Sequence, residues 1–299
     1  MTQWIRYCSL IVSGGGDALD FSKLRVSFEI NKTQNETPNL AQIKIYNLAP
    51  DTENKIINEF TRVTLQAGYQ DHYGVIFDGE IVQSKRGREV GTDTYIVINA
   101  SDGDKAYNNA IVNITLSAGS SQSEHIKVAS NAMGVGNGFI EAKGQKLPRG
   151  KVMYGHAKDV LRTSALTNGQ NWSIQDGQLQ VLSSKSLLPT QAVVLNSQSG
   201  LIGGAEQSTE GITAKALLNP MLKIGSHVIL NESDVSFSKP KHKQDSSKDN
   251  KDADKLAIIA KDGSYKVIGA KFVGDTYGND WFSEIICIDI DAKPPKKGK

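Results

Sequence analysis

The feature that most constrains this fold is an alternation of apolar and polar residues that recurs through the first hundred residues. Within 24–30, every second side chain is apolar, the period of a strand with one buried face. The same alternation returns at 43–46, 63–67, 77–81 and 96–100. Several short strands in about 100 residues favour a small barrel or sandwich over residues 1–104.

Helices interrupt this pattern at a few places. Pro50-Asp51 opens a short helix in the first segment. In the middle segment, 105–183, Ser121 and Glu124 have the spacing of a capping box, and Gly134 stands where a helix ends. A second helix is expected over about 155–166. The middle segment therefore reads as a small α+β domain.

The turn Asp176-Gly177 is the strongest hairpin signal in the chain. A two-residue loop there places Ile174 opposite Leu179, and Trp172 opposite Val181 in the same register. Opposed residues share one face of a sheet, so this register builds a single apolar face. We predict a type I′ turn, with positive φ at both central residues.

Residues 184–291 return to the strand pattern and predict a second β-domain. The strand candidates are 192–195, 214–218, 227–230, 256–260, 265–269 and 281–290. A second Asp-Gly, Asp262-Gly263, predicts a hairpin with Ala260 opposite Tyr265. A Phe-x-Gly-acid motif at 272–275 echoes one at 77–80, each followed by a loop and a strand that ends in Asp. Such an echo fits two related β-domains, although so short a match also arises by chance.

Two segments are too polar to form a core. Residues 238–255 hold six Lys and four Asp and nothing apolar larger than Pro or Ala. They predict a solvated flexible loop, because there is little apolar area to offset the ordering entropy. The alternative is a contact loop that becomes ordered on a partner. The Lys-rich tail 292–299 is likewise predicted to be disordered.

Composition excludes several classes of protein. The 299 residues carry a formal net charge of +2, without the basic excess of a phosphate-binding domain. Two distant cysteines rule out a disulfide framework. No apolar run is long enough for a signal sequence or a membrane span. We therefore expect a soluble protein made in a cytoplasm, and the length suggests about two domains.

No combination of residues predicts a catalytic, cofactor-binding or metal-binding site. The five histidines, expected to be surface or capping residues, lack the spacing of a zinc site: His72, His125, His156, His227 and His242. Gly134-x-Gly136-x-Gly138 follows a helix and lacks the residues of a phosphate loop, so a loop after the helix is expected.

The acidic and thiol groups have ordinary interpretations as well. Asp102-x-Asp104 lacks the later ligands of a calcium loop and favours a strand-end turn. Acidic pairs at 275/280 and 289/291 are expected to face solvent. Cys8 and Cys287 lie in apolar strands and suit buried, inert thiols. We do not expect an enzyme.

The succession of motifs carries more information than any one of them. The order is SFEINKT, NLAQIKIYNLAPDT, TLQAGY, VIFDGEI, NASDGD, NWSIQDGQLQVL, SGLIGGAEQSTEGITAKALLNPMLKIGSHVIL and DGSYKVIGAKFVGDTYGNDW. Over about residues 20–290 this succession resembles the baseplate hub proteins of contractile-tailed bacteriophages, a family that includes the T-even hub and the hub part of type VI secretion spikes. The insert at 238–255 departs from the family pattern.

The resemblance implies a structural protein with two similar β-barrel domains flanking the middle domain. Three chains would then present six barrels as a pseudo-sixfold ring between a sixfold tail tube and a threefold spike. The implied partners are the tube protein, the central spike, and baseplate wedge or tape-measure proteins, with DNA passing unbound. The implied location is the virion, after synthesis in the host bacterial cytoplasm.

Two alternatives remain open from the sequence. One is a tail-tip protein of a long non-contractile tail, which uses a similar fold. The other is a glycan-binding or cell-wall-degrading tail module, for which Trp172 is the residue to inspect. A buried Trp172 would count against sugar stacking, whereas an exposed one beside acidic residues would favour it.

Overall fold

The computed structural model describes residues 5–89, 91, 93–141, 146–207, 211–230, 235–236 and 263–290. The chain is mainly β, with 53% strand and 16% helix, as the alternating pattern predicts. The predicted insert 238–255, the strand candidate 256–260 and the tail 292–299 lie outside the described residues. Among the described residues, no helix is both long and apolar enough to cross a membrane.

The first segment contributes seven strands to a large sheet and also contains one helix. They are β1 (Arg6–Gly14), β2 (Asp17–Asp20), β3 (Val26–Thr33), β4 (Leu40–Tyr46), α1 (Pro50–Asn58), β5 (Arg62–Tyr69), β6 (His72–Arg88) and β7 (Thr94–Ser101). The predicted alternation is confirmed in β3, where Val26, Phe28 and Ile30 are buried and Ser27 and Glu29 are more exposed.

The middle segment packs three helices against two small sheets. Its elements are α2 (Asp104–Asn109), β8 (Ile111–Leu116), α3 (Gln122–Met133), β9 (Gly136–Ile140), β10 (Lys151–His156), α4 (Ala157–Thr167), β11 (Gln170–Gln175) and β12 (Gln178–Ser183). Strand β8 pairs with β10, and β12 lies between β9 and β11. These elements enclose a separate apolar core drawn from residues 106–181.

Local signals in the middle segment are confirmed in detail. Ser121 and Glu124 form both hydrogen bonds of the capping box, and Gly134 ends α3 with φ of 66°. The hairpin has the predicted register, with Ile174 opposite Leu179. Its turn has φ of 54° at Asp176 and 74° at Gly177, as a type I′ turn requires.

The third segment completes the large sheet with seven more strands. They are β13 (Val193–Leu195), β14 (Ala205–Gln207), β15 (Ile212–Leu217), β16 (His227–Leu230), β17 (Val235–Ser236), β18 (Ser264–Asp275) and β19 (Trp281–Asp289). Residue 262 of the predicted Asp262-Gly263 turn lies outside the described residues. Tyr265 is flanked by Val228 of β16 and Asp289 of β19. Both of its edges are therefore occupied, which contradicts the predicted pairing of Tyr265 with Ala260.

The two β segments form one continuous sheet because β3 pairs antiparallel with β18 from Ser27–Asp275 to Thr33–Gly269. Trp281 reinforces this junction: its ring packs edge-on against Phe28 at 5.5 Å, and its Nε1 donates to the carbonyl of Gly68. One apolar core accordingly runs through both segments.

The first and third segments share the same strand order. The first runs β3-β4-β7-β6-β5-β1, and the third runs β14-β15-β19-β18-β16-β13. Matching the strands in chain order preserves every neighbour relation. The one departure is that β1 pairs antiparallel with β5, whereas β13 pairs parallel with β16. We call these two sets of six strands the first and second β-units.

The described residues show no closed barrel, so the predicted pair of barrels is not confirmed. A physical reason is that the outer edge of β3 pairs with β18 of the other unit instead of returning to its own.

The two Phe-x-Gly-acid motifs do not occupy equivalent positions in the two β-units. They lie on the matching strands β6 and β18, but Gly274 sits beside the hairpin loop, opposite Trp281. Gly79 lies far from the β6–β7 loop and pairs with Val63 of β5.

Candidate functional site

The most elaborate polar site is a buried cluster that holds the tip of the β11–β12 hairpin against the first β-unit. Asp102, directly after β7, is fully buried. Its carboxylate accepts hydrogen bonds from the backbone N–H of Asp176 at 2.6 Å and of Gly177 at 2.9 Å. The type I′ turn directs both N–H groups toward one side chain, so a single carboxylate fixes the hairpin tip.

Side-chain amides extend this contact along the hairpin. Asn39 donates to the carbonyl of Ile174 at 2.9 Å and accepts from the N–H of Thr33 at 3.0 Å. Gln175 donates to the carbonyl of Thr33 at 2.9 Å. Each amide satisfies backbone groups that would otherwise be buried without partners. The middle segment is thus bonded to the sheet by specific polar contacts.

Burial and the neighbouring groups shift the pKa of Asp102 in opposite directions. Burial raises the pKa of Asp102 from 3.8 to about 6, while the N–H groups of Gly177 and Asp176 and the Lys32 ammonium act in the opposite direction. The side chain of Lys32 is only 4% exposed, and its Nζ lies 2.5 Å from Asp176 Oδ1. A buried ammonium, that of Lys32, and a buried carboxylate, that of Asp102, therefore both contact the hairpin tip.

A cavity of about 380 Å³ opens beside this cluster where all three segments meet. Its lining includes Asp78, Phe139, Gln180, Pro220 and Lys223. Asp78 is already bound by Arg62 at 2.7 Å. No group of three or more potential metal ligands occurs among the described residues. We interpret the cavity as a seam between the segments.

Trp172 is buried, with 1% of its surface exposed. Its ring stacks on Tyr107 at 5.3 Å inside the core of the middle segment. An indole enclosed in this way has no face for a sugar, which counts against the glycan-binding alternative.

The histidines are dispersed. His72 contacts Asn219 at 3.0 Å, and His227 contacts Ser264 at 3.2 Å. His156 is the residue before α4 but makes no side-chain cap, and His242 lies outside the described residues. The expectation of surface or capping roles is wrong for His125, which is buried against Ser120 and whose pKa is lowered, chiefly by burial.

Other residues depart from the sequence expectations. Gly136 and Gly138 lie in β9, which pairs with β12, and do not form a loop. The strand-end turn expected at Asp102-x-Asp104 is present at residues 102–103, and Asp104 then begins the short helix α2. Asp275 does not simply face solvent, because it binds Arg25 at 2.8 Å and accepts from the N–H groups of Tyr277 and Gly278. Asp280, grouped with Asp275 in the sequence, is exposed. Asp291, grouped with Asp289, lies outside the described residues.

The cysteines have the environments expected of unreactive thiols. Burial raises the pKa of Cys8 to about 12 and raises that of Cys287 as well. Both are free, with Cys287 buried and Cys8 partly buried.

Sequence reasoning missed two buried lysines that tie the segments together. Lys32 is described above. Lys266 is fully buried, and its Nζ donates to the carbonyl of Ser183 at 2.8 Å, which anchors β18 to the end of β12. Burial lowers the pKa of Lys266 to about 8. The alternating pattern around 265–267 gives no sign that a lysine occupies an interior position.

The fold is that of bacteriophage tail proteins. The 43 kDa tail protein of prophage MuSo2 from Shewanella oneidensis matches with a TM-score of 0.60 at 8% identity, over 95% of this chain and 99% of that one. A tail protein from Neisseria meningitidis MC58 matches with 0.59 at 10% identity, over 95% and 96%. An E. coli component of the type VI secretion system, described as similar in structure to the T4 tail proteins gp27 and gp5, matches with 0.53 at 10% identity, over 93% and 76%.

A family model places the chain more specifically. The model described as baseplate hub gp41 matches residues 8–235, most of the chain, whereas no curated protein matches at the level of sequence. The chain belongs to this baseplate hub family. The resemblance noted in the succession of motifs is thereby confirmed.

Proposed function

We propose that this protein is the structural hub of a phage baseplate, a trimer that adapts the sixfold tail tube to the threefold spike. The observation that carries the proposal is the presence of two β-units of matching strand order, joined edge to edge by β3 and β18. Three such chains supply six related units, the number that a sixfold tube requires. Family membership supports the same role.

The junction between the two β-units is of a kind from which a ring can be built. The contact between the two units is head-to-tail, since β3 and β18 do not occupy matching positions in their units. Head-to-tail contacts generate rings when the rotation closes and filaments when it does not. Repetition of this junction between chains would give a ring of alternating first and second units, each continuing the same sheet.

The proposed ring lines a conduit for DNA and does not bind it. A formal charge of +2 over 299 residues provides little phosphate neutralisation, which dominates non-specific affinity for DNA. We also propose that the chain is not an enzyme, since the described side chains of the buried cluster and the cavity form no nucleophile–base arrangement. The proposed partners are the tube protein, the spike, and wedge or tape-measure proteins of the virion.

The similarity of the β-units makes a direct test possible. In a cryo-electron-microscopy map of the assembled tail, we expect three copies per six-subunit tube ring, with the first and second β-units alternating around the channel. Six copies per tail would contradict the proposal. The second candidate, a tail-tip protein of a non-contractile tail, predicts the same ring in a particle without a sheath.

A further inference from the structure

The inference concerns the two-stranded sheet of the middle segment, which we call the β8–β10 ribbon. Its two strands, of six residues each, pair antiparallel along their whole length. Val112 and Met153 point inward and belong to the core of the middle segment. Because successive side chains of a strand point to opposite faces, the residues between them form a second, outward face.

The outward face of the ribbon is apolar and open to solvent. Ile111 is 62% exposed, Val152 71% and Tyr154 78%. The residues directly opposite these three across the ribbon are polar and exposed as well, so no other described element covers this face. Single exposed apolar residues are common, but several on one small face mark an interaction surface.

The outer edge of β10 is also unoccupied. Among the strands that the structure describes, β10 pairs with β8 alone. A groove of about 240 Å³ is lined by residues 151–156 together with Asp159, Val160 and Thr163 of α4, and not by β8. It therefore lies on the side of β10 away from its partner. Such an edge presents a row of backbone N–H and C=O groups, which an extended chain can bind as an additional strand.

The surroundings of the ribbon are positively charged. The stretches that contain its strands, 110–121 and 146–158, have no acidic residue and four basic ones, which are Lys146, Arg149, Lys151 and Lys158. None of the four forms an ion pair with a residue that the structure describes. Asp159 in the groove is bound by Arg162 at 3.0 Å. The ribbon therefore lacks counter-charges within the described part of the chain.

We propose that the β8–β10 ribbon binds an extended acidic segment of a partner protein, which adds to β10 as a third strand. Backbone hydrogen bonds along the edge hold the segment, its apolar side chains cover Val152 and Tyr154, and its carboxylates neutralise the basic residues. Pairing of two ribbons from two copies is disfavoured, because it brings the same unpaired positive charges together. The proposal adds a partner contact to the proposed function and does not depend on the number of chains in the hub.

A synthetic strand tests this chemistry directly. The probe is an end-capped peptide of about nine residues in which valine alternates with glutamate, long enough to span β10. It would be titrated into the full ¹⁵N-labelled chain while amide chemical shifts are recorded. We expect saturable shifts at residues 151–156.

Two control peptides separate the backbone from the charges. Methylation of alternate peptide nitrogens should weaken binding about tenfold, because it removes strand hydrogen bonds and keeps the side chains. A peptide with lysine in place of glutamate should not bind, because it repels the basic residues. Absence of saturable shifts at 151–156, or equal binding of all three peptides, overturns the proposal.

Substitutions test whether the ribbon is the binding surface. Tyr154→Ser should weaken binding of the valine–glutamate peptide about tenfold. Tyr277→Ser, at a tyrosine of similar exposure (75%) in the β18–β19 loop, is its control and should have no effect. Arg149→Glu should weaken binding about fivefold through repulsion, whereas Arg88→Glu, at an exposed arginine of β6, should not. Unchanged binding by Tyr154→Ser and Arg149→Glu, each folded by circular dichroism, overturns the assignment.

Assembled tails identify the natural occupant. The photo-reactive analogue p-benzoylphenylalanine would replace Tyr154, or Tyr277 as the control, and the linked peptides would be sequenced by mass spectrometry. We expect position 154 to link to a segment of another tail protein that has more Asp and Glu than Lys and Arg. A link to a second copy of this chain, to DNA or to a basic segment contradicts the proposal, as does the absence of any link.

The two proposals fail separately. If tails contain three copies per tube ring, but the ribbon binds neither the peptide nor an acidic segment, the partner surface is refuted and the hub function stands. If the ribbon binds an acidic segment in tails of another stoichiometry, the trimeric hub is refuted and the partner surface stands.

Discussion

Asp102→Ala should loosen the middle segment from the first β-unit. The carboxylate is the acceptor for two backbone N–H groups, those of Asp176 and Gly177, and it is fully buried. A methyl group cannot accept either bond. Asn39 still donates to the carbonyl of Ile174, and Gln175 still donates to the carbonyl of Thr33, so the variant should fold with a weakened junction.

The expected loss in the free energy of unfolding follows from the two N–H groups that Asp102→Ala leaves without an acceptor. Leaving a buried N–H without an acceptor costs about 1–3 kcal/mol, which sets a ceiling of about 6 kcal/mol for two. Removal of a carboxylate whose pKa is raised by burial offsets part of this, since a shift of about two pKa units corresponds to about 3 kcal/mol. We expect a net loss of about 2 kcal/mol in the free energy of unfolding at pH 7.

The stability lost in Asp102→Ala should be larger at pH 5 than at pH 7. Because the pKa of Asp102 is raised to about 6, the folded state binds a proton more tightly than the unfolded state. The wild type therefore gains stability as pH falls through about 6, by about 1 kcal/mol between pH 7 and pH 5. The variant lacks this gain, so the stability difference should widen by that amount at pH 5.

Urea denaturation at pH 7 and pH 5 measures this difference. Hydrogen exchange at Asp176 and Gly177 should accelerate in the variant. Asp17→Ala is the control, because Asp17 is exposed and its only described ion pair is a loose one with Lys55 at 3.5 Å. It should stay within about 0.5 kcal/mol at both pH values. A difference between Asp102→Ala and wild type that is the same at both pH values would refute the reasoning.

Three further substitutions probe other features. Gly177→Val should destabilise the middle segment by about 1 kcal/mol or more in thermal melts, because a β-branched residue resists the φ of 74°; unchanged stability would contradict a strict type I′ turn. Trp172→Ala should cost about 3–5 kcal/mol by urea titration, and Trp172→Phe less than half of that, since the ring stacking on Tyr107 is kept; equal losses would argue against packing as the cause. The stability of wild type relative to Lys266→Met should rise by about 1 kcal/mol from pH 7 to pH 9, because the folded pKa of about 8 lies below the unfolded value; a parallel pH dependence in the two proteins would mean that Lys266 is not desolvated.

Local structure in this chain was predictable wherever a few adjacent residues determine it. The Asp176-Gly177 turn fixes the hairpin register, and Ser121 with Glu124 fixes the start of α3. In both cases the physical cause is contained within a handful of positions. The same reasoning failed at the glycines of 136–138, where a distant strand, β12, recruits them into a sheet.

Long-range pairing was not predictable from the sequence. Nothing near Phe28 indicates that its strand lies beside Phe272, because edge-strand pairing depends on the geometry of the whole sheet. The buried positions of Lys32 and Lys266 were hidden for the same reason, since their partners are brought close only by the fold. The two β-units repeat each other in strand order, and this repeat leaves no recognisable motif in the sequence. The Phe-x-Gly-acid motif, which suggested a repeat, does not occupy equivalent positions in the two units.

The covalent link between the two β-units has a consequence for assembly. The β3–β18 ladder forms within one chain, so its closure is unimolecular, and dilution does not weaken it. Only contacts between chains respond to protein concentration. Because the units always arrive in pairs, an assembly of this chain contains an even number of them and cannot stall at an odd count. Joining the units in one polypeptide therefore removes odd-numbered intermediates from the pathway and halves the junctions that must form by collision.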